Sequence, residues 1–146
     1  MHDIKRIEQF MQIMRDIHRI VLPKELFDTE SDVTPLQLEV LFYLHIHPRS
    51  KVGAVGKHLN LSSSAIAQLT DRLAKSGYIE REDNPRDRRS VMLLLTQKGN
   101  RVFSQLHETR IRKIRKVLGS IPEKDFKEFV RIFKNFHQNM VVRRGG

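Results

Sequence analysis

Residues 59–95 constrain the fold of this chain more than any other stretch. Ser62 is placed to accept a hydrogen bond from an unpaired backbone N–H at a helix start. Gly77 stands where a helix readily ends, because glycine adopts positive φ at little cost. The stretch therefore predicts a helix over residues 62–76. Its buried side is marked by apolar residues at helical spacing: Ile66, Leu69 and Leu73.

Two strands joined by a basic hairpin are predicted to follow this helix. Tyr78 and Ile79 begin the first strand, Asn84-Pro85 breaks it, and the apolar residues 91–95 form the second. A polar helix face beside an arginine-tipped hairpin suits a winged helix-turn-helix, whose helix fits a major groove and whose hairpin reaches a backbone or minor groove. The charged residues between the strands are Arg86, Asp87, Arg88 and Arg89.

The remaining chain reads as further helices. Thr34-Pro35-Leu36-Gln37 combines a cap, a first-turn proline and a capping-box glutamine. A short helix over residues 52–59, followed by a turn at Asn60, completes the helix-turn-helix. Long amphipathic helices are expected from Ile4 to about Pro23, from Thr96 to Gly119, and after Pro122.

We therefore expect one domain over residues 1–146, mainly α with a small two- to three-stranded β wing. The winged helix-turn-helix spans about residues 34–96, and dimerisation helices span about residues 1–22 and 97–142. The apolar stripes of these helices must be covered, either by one another or by a second copy. We predict a homodimer, which would place two recognition helices about 34 Å apart on a duplex.

The net charge of +10 favours a polyanionic partner, nucleic acid before an acidic membrane surface. Residues 49–95 carry 9 basic and 5 acidic side chains, a net +4, whereas residues 96–146 carry 13 and 4, a net +9. The long C-terminal helices are thus more basic than the hairpin region. Either they add phosphate contacts or they present a solvated cationic face.

Other classes of protein find little support. The absence of cysteine excludes disulfides and thiolate chemistry. No apolar run is long enough for a membrane span, and the charged N-terminus is not a signal peptide, so a cytoplasmic protein is expected. No phosphate loop or catalytic frame indicates an enzyme, and no cofactor is expected. The histidines lack four-residue spacing on any helix, so we predict no metal site.

Four motifs occur in order between residues 34 and 99: Thr34-Pro35-Leu36-Gln37, LNLSSSAIAQLTDRLAKSGYIER, NPRDRRSVMLLLT, and Thr96-Gln97-Lys98-Gly99. Together they resemble the MarR (multiple antibiotic resistance regulator) family of transcription regulators. The resemblance implies a homodimer that binds a pseudo-palindromic operator in double-stranded DNA, usually as a repressor. It also implies release of DNA when a small phenolic or other anionic effector binds between the dimer helices and the winged helix.

The resemblance also implies roles for single residues. Ser64, Ala65 and Gln68 fall where the recognition helix of the family faces bases. Arg89 falls at the wing arginine that enters the minor groove, and Asp87 at the acidic residue that braces it. The family often has arginine where this chain has Gln68, and the physical expectation for glutamine is adenine rather than guanine.

The residue types leave several roles open. Arg89 either enters a narrow A·T-rich minor groove or pairs with Asp87, and the two are compatible. Ser62 caps the helix, and with Ser63 it can also bind a phosphate. Three other arginines either contact phosphates or are solvated: Arg72, Arg86 and Arg88. Arg15 and His18, near the end of the first helix, are candidates for an effector pocket.

Two further interpretations compete with a sequence-specific regulator. A winged helix can bind nucleic acid without specificity, as an architectural protein does, or it can bind another protein. A specific regulator keeps a large affinity ratio over competitor DNA, whereas a nonspecific binder shows mainly a steep dependence on salt.

Overall fold

The structure, a computed structural model, describes residues 2–21 and 32–144. The helix end expected at Pro23 lies outside these residues. The helices and strands run in the order α1 (Ile4–Val21), α2 (Pro35–Ile46), β1 (Ser50–Lys51), α3 (Val52–His58), α4 (Ser63–Lys75), β2 (Ile79–Asn84), β3 (Asp87–Leu95), α5 (Gln97–Leu118) and α6 (Glu123–Arg144). The predicted fold class, mainly α with a small β wing, is confirmed.

The chain forms two compact units. The winged-helix unit comprises Leu22–Arg110, and the terminal unit comprises Met1–Val21 together with Ile111–Gly146. Helix α5 contributes its first part to one unit and its second part to the other. The single domain expected from the sequence stays a prediction.

Helix α2 begins with the capping box that the sequence predicted. The Thr34 backbone N–H donates to Gln37 Oε1 at 2.9 Å, and the Gln37 N–H donates to Thr34 Oγ1 at 3.2 Å. Pro35 occupies the first turn, where its missing N–H costs nothing. These local bonds hold the start of α2 in place and orient its buried leucines.

The sheet has three antiparallel strands in the order β1-β3-β2. Asn84 pairs with Asp87, so only Pro85 and Arg86 form the hairpin loop. The sequence-based expectation that Asp87, Arg88 and Arg89 lie between the strands was therefore wrong, because pairing extends to Asp87 and makes β3 nine residues long. Two of the three wing arginines are thus held on a strand.

The core of the winged-helix unit includes side chains from α2, α3, α4, the sheet and α5. On α4, Ile66 and Leu73 are buried as predicted, whereas Leu69 is only partly buried. Phe103 and Leu106 of α5 also belong to this core. The unit therefore extends to Arg110, beyond the end near residue 96 expected from the sequence, because α5 supplies apolar side chains to it.

The terminal unit contains α1, the second part of α5, and α6. Phe10 and Phe136 pack with their ring centroids 6.4 Å apart, and Phe129 and Phe133 with theirs 4.4 Å apart. Most of its large apolar side chains are nevertheless exposed. None of the helices within residues 2–21 and 32–144 has the length and apolar character needed to cross a membrane.

Candidate nucleic-acid interface

Helix α4 presents a polar outer face that begins at a well-defined cap. Ser62 Oγ accepts a hydrogen bond from the Ala65 N–H at 3.1 Å, so Ser62 is the N-cap that the sequence predicted. Ser64, Gln68 and Arg72 follow at four-residue steps and are all exposed. Side chains four apart lie above one another on a helix, so these three form one line. Ser63 is exposed too, whereas Ala65 is half-buried.

Ala67 is exposed beside this line and was missed by sequence reasoning. It stands three residues after Ser64, so the two side chains are neighbours on the surface of α4. Its small side chain leaves room for a ligand to approach the helix backbone. The three-residue spacing from Ser64 was the signal that could have identified it.

The inner side of α4 is fixed to the wing through polar contacts. Thr70 is fully buried, and its hydroxyl donates to the Ile66 carbonyl at 2.8 Å. Arg81 of β2 reaches the same hydroxyl at 3.3 Å and lies 4.0 Å from the carboxylate of Asp71. A hydrogen bond from Lys75 and the charges of Lys75 and Arg81 lower the pKa of Asp71. These contacts set the position of the outer face of α4 relative to β2.

Side-chain to backbone hydrogen bonds shape the tip of the wing. Asn84 Oδ1 accepts from the Arg86 N–H at 3.0 Å, and Asp87 Oδ1 accepts from the Arg89 N–H at 2.9 Å. Asn84 Nδ2 also donates to the Ser90 hydroxyl across the hairpin at 3.0 Å. Asp87 thus contacts the backbone of Arg89 and not its guanidinium, which stays available for a ligand.

The wing carries exposed cations. Arg86, Arg88 and Arg89 are all exposed, and none forms an ion pair with a carboxylate of the described residues. A cleft of about 510 Å³ between the start of α3 and β3 is lined by both Lys51 and Arg89. Lys51 was missed by sequence reasoning, since the pairing of β1 with β3 brings together residues more than forty positions apart.

The candidate effector residues lie in the terminal unit. Arg15 and His18 line a groove of about 530 Å³ on α1, together with Gln12, Met14 and Arg19. The Arg15 guanidinium donates to Gln12 Oε1 at 2.7 Å. The groove therefore presents cationic and hydrogen-bonding groups beside an apolar methionine.

The histidines of the winged-helix unit pack against aromatic rings. His45 and His107 lie against Phe103, with ring centroids 4.6 and 5.3 Å apart, and His47 and His58 lie 4.8 and 4.7 Å from Tyr43. Across the part of the chain that the structure describes, no cluster of three or more His, Asp or Glu side chains could hold a metal ion.

The chain is similar in sequence to known regulators. Residues 31–90, which contain α2 to α4, β1, β2 and the wing tip, match the family model described as MarR family. YfiV, an uncharacterized HTH-type transcriptional regulator of Bacillus subtilis (strain 168), is 34% identical over 87 residues, covering 60% of this chain and 54% of YfiV. MdtR, an HTH-type transcriptional repressor of the same organism, is 36% identical over 74 residues, covering 51% and 48%. The chain thus spans about half the length of these relatives.

Two solved structures share the fold over almost the whole chain. A MarR family protein from Bacillus stearothermophilus superposes with a TM-score of 0.85 at 24% identity, covering 97% of this chain and 99% of that one. FabT of Streptococcus pneumoniae, solved in complex with DNA, gives a TM-score of 0.79 at 20% identity, covering 96% and 99%. Residues 31–90 of this chain are thus similar to the MarR family, and the chain as a whole shares the fold of these two structures.

Proposed function

We propose that this protein is a sequence-specific DNA-binding transcription regulator. The observation that carries the proposal is the exposed line of Ser64, Gln68 and Arg72 on α4. It lies in one unit with a wing whose exposed arginines at and after the tip have no acidic partner among the described residues: Arg86, Arg88 and Arg89. Such a helix offers hydrogen-bonding groups to base edges in a major groove, and such a wing offers cations to a backbone or minor groove. The names of YfiV and MdtR and the DNA complex of FabT support this proposal.

Each side chain has a proposed role. Gln68 reads adenine through its amide, and Ser64, Ala65 and Ala67 allow close approach to the bases. Arg89 enters the minor groove, oriented by the contact of its backbone with Asp87. The remaining residues bind phosphates and set the register on the duplex: Lys51, Ser62, Ser63, Arg72, Arg86 and Arg88.

The proposed active form is a homodimer on a pseudo-palindromic operator. The exposed apolar side chains of α1 and α6 supply a surface that a second copy would cover. We further propose that the protein is a repressor, in line with the name of MdtR, and that a small anionic or phenolic effector releases it from DNA. Arg15 and His18, which line the groove on α1, would bind the anionic group of the effector.

Selection from a pool of random-sequence duplexes tests the proposal directly. The protein should enrich an inverted repeat, and its affinity for that duplex should exceed its affinity for a scrambled duplex by about a thousandfold or more at physiological salt. Equal affinity for both duplexes, with a steep salt dependence, would instead identify a nonspecific architectural protein. Titrating 4-hydroxybenzoate into the complex then tests release by a phenolic anion.

A further inference from the structure

The motif Thr96-Gln97-Lys98-Gly99 has no role in the DNA contacts proposed above, yet it makes a dense set of contacts with the end of α4. Helix α4 ends with Gly77 at φ +78, where the Tyr78 N–H donates to the Leu73 carbonyl and the Gly77 N–H to the Ala74 carbonyl, both at 3.0 Å. This pair of bonds closes the last turn of the helix. The carbonyls of residues 76 to 78 follow this last turn and accept neither of these two bonds.

All three of these successive carbonyls accept hydrogen bonds from the motif. Lys98 Nζ donates to the Ser76 carbonyl at 2.7 Å, and Thr96 Oγ1 donates to the Gly77 carbonyl at 2.5 Å. The Thr96 backbone N–H donates to the Tyr78 carbonyl at 3.1 Å. The chain that leaves the proposed recognition helix is thus bound, carbonyl by carbonyl, to the start of α5.

The same motif forms the start of α5. Thr96 Oγ1 accepts from the Gly99 N–H at 3.0 Å while it donates to Gly77, so one hydroxyl serves both helices. A Cβ at Gly99 would lie 1.9 Å from the Tyr78 carbonyl oxygen, so only glycine allows this close approach. The glycine and the threonine hydroxyl therefore fix the spacing between the end of α4 and the start of α5.

Lys98 is the member of the motif that contacts α4 through charge. Its ammonium lies at the C-terminal end of α4, where a positive charge is favourable, and 4.7 Å from the centroid of the Tyr78 ring. Lys98 is exposed, so each of these contacts adds little to the free energy of unfolding. The main effect of the contact is to restrain the position of the last turn of α4.

We propose that Lys98 is a positioning residue for DNA recognition, which holds the C-terminal end of α4 in place without touching DNA. The inference rests on the proposed function of α4. Base readout needs side chains held within a fraction of an ångström, whereas nonspecific binding comes from electrostatic phosphate contacts that carry no sequence information. Loss of the Lys98 contact therefore reduces discrimination between sequences and leaves nonspecific affinity unchanged.

The test compares three variants of the full chain. Lys98→Met keeps the aliphatic stem and removes the donors, Lys98→Arg keeps a positive donor, and Arg101→Met removes one exposed charge a turn further along α5 as a control. Affinities are measured by fluorescence anisotropy for the duplex selected by the wild-type protein and for a scrambled duplex, over a range of salt concentrations. Hydrogen exchange of the Gly77 and Tyr78 amides is measured in the free protein.

Lys98→Met should lower affinity for the selected duplex about fivefold or more, and leave affinity for the scrambled duplex unchanged. The slope of log affinity against log salt should be unchanged as well, since a lost phosphate contact would lower it by about one. The Gly77 and Tyr78 amides should exchange faster in Lys98→Met than in the wild type. Lys98→Arg should keep the wild-type affinity ratio between the two duplexes and the wild-type exchange rates. Arg101→Met should also change neither the affinity ratio nor the exchange.

Two results would overturn the proposal. Equal losses on both duplexes, with a slope reduced by about one, would make Lys98 a direct phosphate contact. Unchanged exchange and unchanged discrimination would make the contact irrelevant. If the wild type itself fails to discriminate between duplexes, the proposed DNA function fails, and the exchange rates still decide whether Lys98 restrains the end of α4.

Discussion

The winged-helix unit and the terminal unit place their apolar side chains in opposite ways. All thirteen buried hydrophobic residues found in the described chain lie in the winged-helix unit. Of the seventeen exposed large hydrophobic residues, fourteen lie in the terminal unit, on α1, the end of α5, the connection after it, and α6. One unit covers its own apolar surface and the other leaves most of it open.

The two units are therefore suited to different tasks, one to presenting polar groups to a ligand and the other to association. The winged-helix unit has a core of its own, so its outer face can carry polar groups in fixed positions for a ligand. The terminal unit exposes side chains such as Phe136, at 52%, and Ile132, at 51%, which water solvates poorly. An apolar surface of this extent marks a site of association, which supports the homodimer proposed above.

The largest expected effect is on the core of the winged-helix unit. Leu41 is completely buried, so Leu41→Ala should lower the free energy of unfolding by about 2–5 kcal/mol in a urea titration. Leu36→Ala on the same helix is the matched control, because Leu36 is 41% exposed and should change stability by about 0.5 kcal/mol or less. Equal costs at the two positions would contradict the assignment of the core.

A charge on the apolar face of α6 should act on association instead. Ile132→Asp would bury a carboxylate in the proposed dimer and weaken the dimer by about 3 kcal/mol, roughly a hundredfold in its dissociation constant. Sedimentation equilibrium measures this constant. Gln105→Asp introduces the same charge at an exposed position of the winged-helix unit instead of on α6, and it should leave the dimer intact. A wild-type chain that sediments as a monomer at all concentrations would refute the proposed homodimer.

The wing should contribute affinity rather than stability. Arg89→Ala should weaken binding to the selected duplex about tenfold or more, because it removes a guanidinium from the narrow minor groove. The variant should unfold at the same urea concentration as the wild type, since Arg89 is exposed. Arg101→Ala is a control for the loss of one positive charge elsewhere in the winged-helix unit. Unchanged affinity of Arg89→Ala at physiological salt would remove the wing from the interface.

Gln68 should affect one base pair in each half-site. Gln68→Ala should lose about 1–3 kcal/mol of discrimination at the position where the amide contacts adenine, and little at the others. Binding to duplexes with each half-site position substituted in turn gives this profile. A uniform loss over all sequences would show that Gln68 contacts only the backbone.

The smallest expected effect concerns Asp71, which pairs with Lys75 within α4 and with Arg81 of the wing. Hydrogen bonding to Lys75 lowers the pKa of Asp71 below its ordinary value of 3.8, so the pairing stabilises the fold above this pH and is lost as the pH falls through the lowered pKa. Asp71→Asn should therefore lower Tm slightly at pH 7, and the difference from the wild type should shrink in more acidic buffer. A difference that grows on acidification would contradict the assigned direction of the pKa shift.

The sequence alone determined the features that depend on neighbours within one or two turns. The capping box at Thr34, the N-cap at Ser62 and the stop at Gly77 all lie where the sequence predicted them. Each rests on a hydrogen bond or a backbone angle that involves residues three to five positions apart. The fold class follows from the order of such signals, and so does the identity of the exposed line on α4.

Only the tertiary structure decided the features that join distant parts of the chain. The burial of Thr70 and its contact with Arg81, the cleft shared by Lys51 and Arg89, and the bond from Lys98 to the end of α4 all depend on packing or strand register. A local pattern gives no information on such pairings, because many partners for each donor would fit the sequence equally well. At the start of α5, the close approach of Gly99 to the Tyr78 carbonyl brings Lys98 within reach of the Ser76 carbonyl. Only this packing fixes which carbonyl the Lys98 ammonium binds.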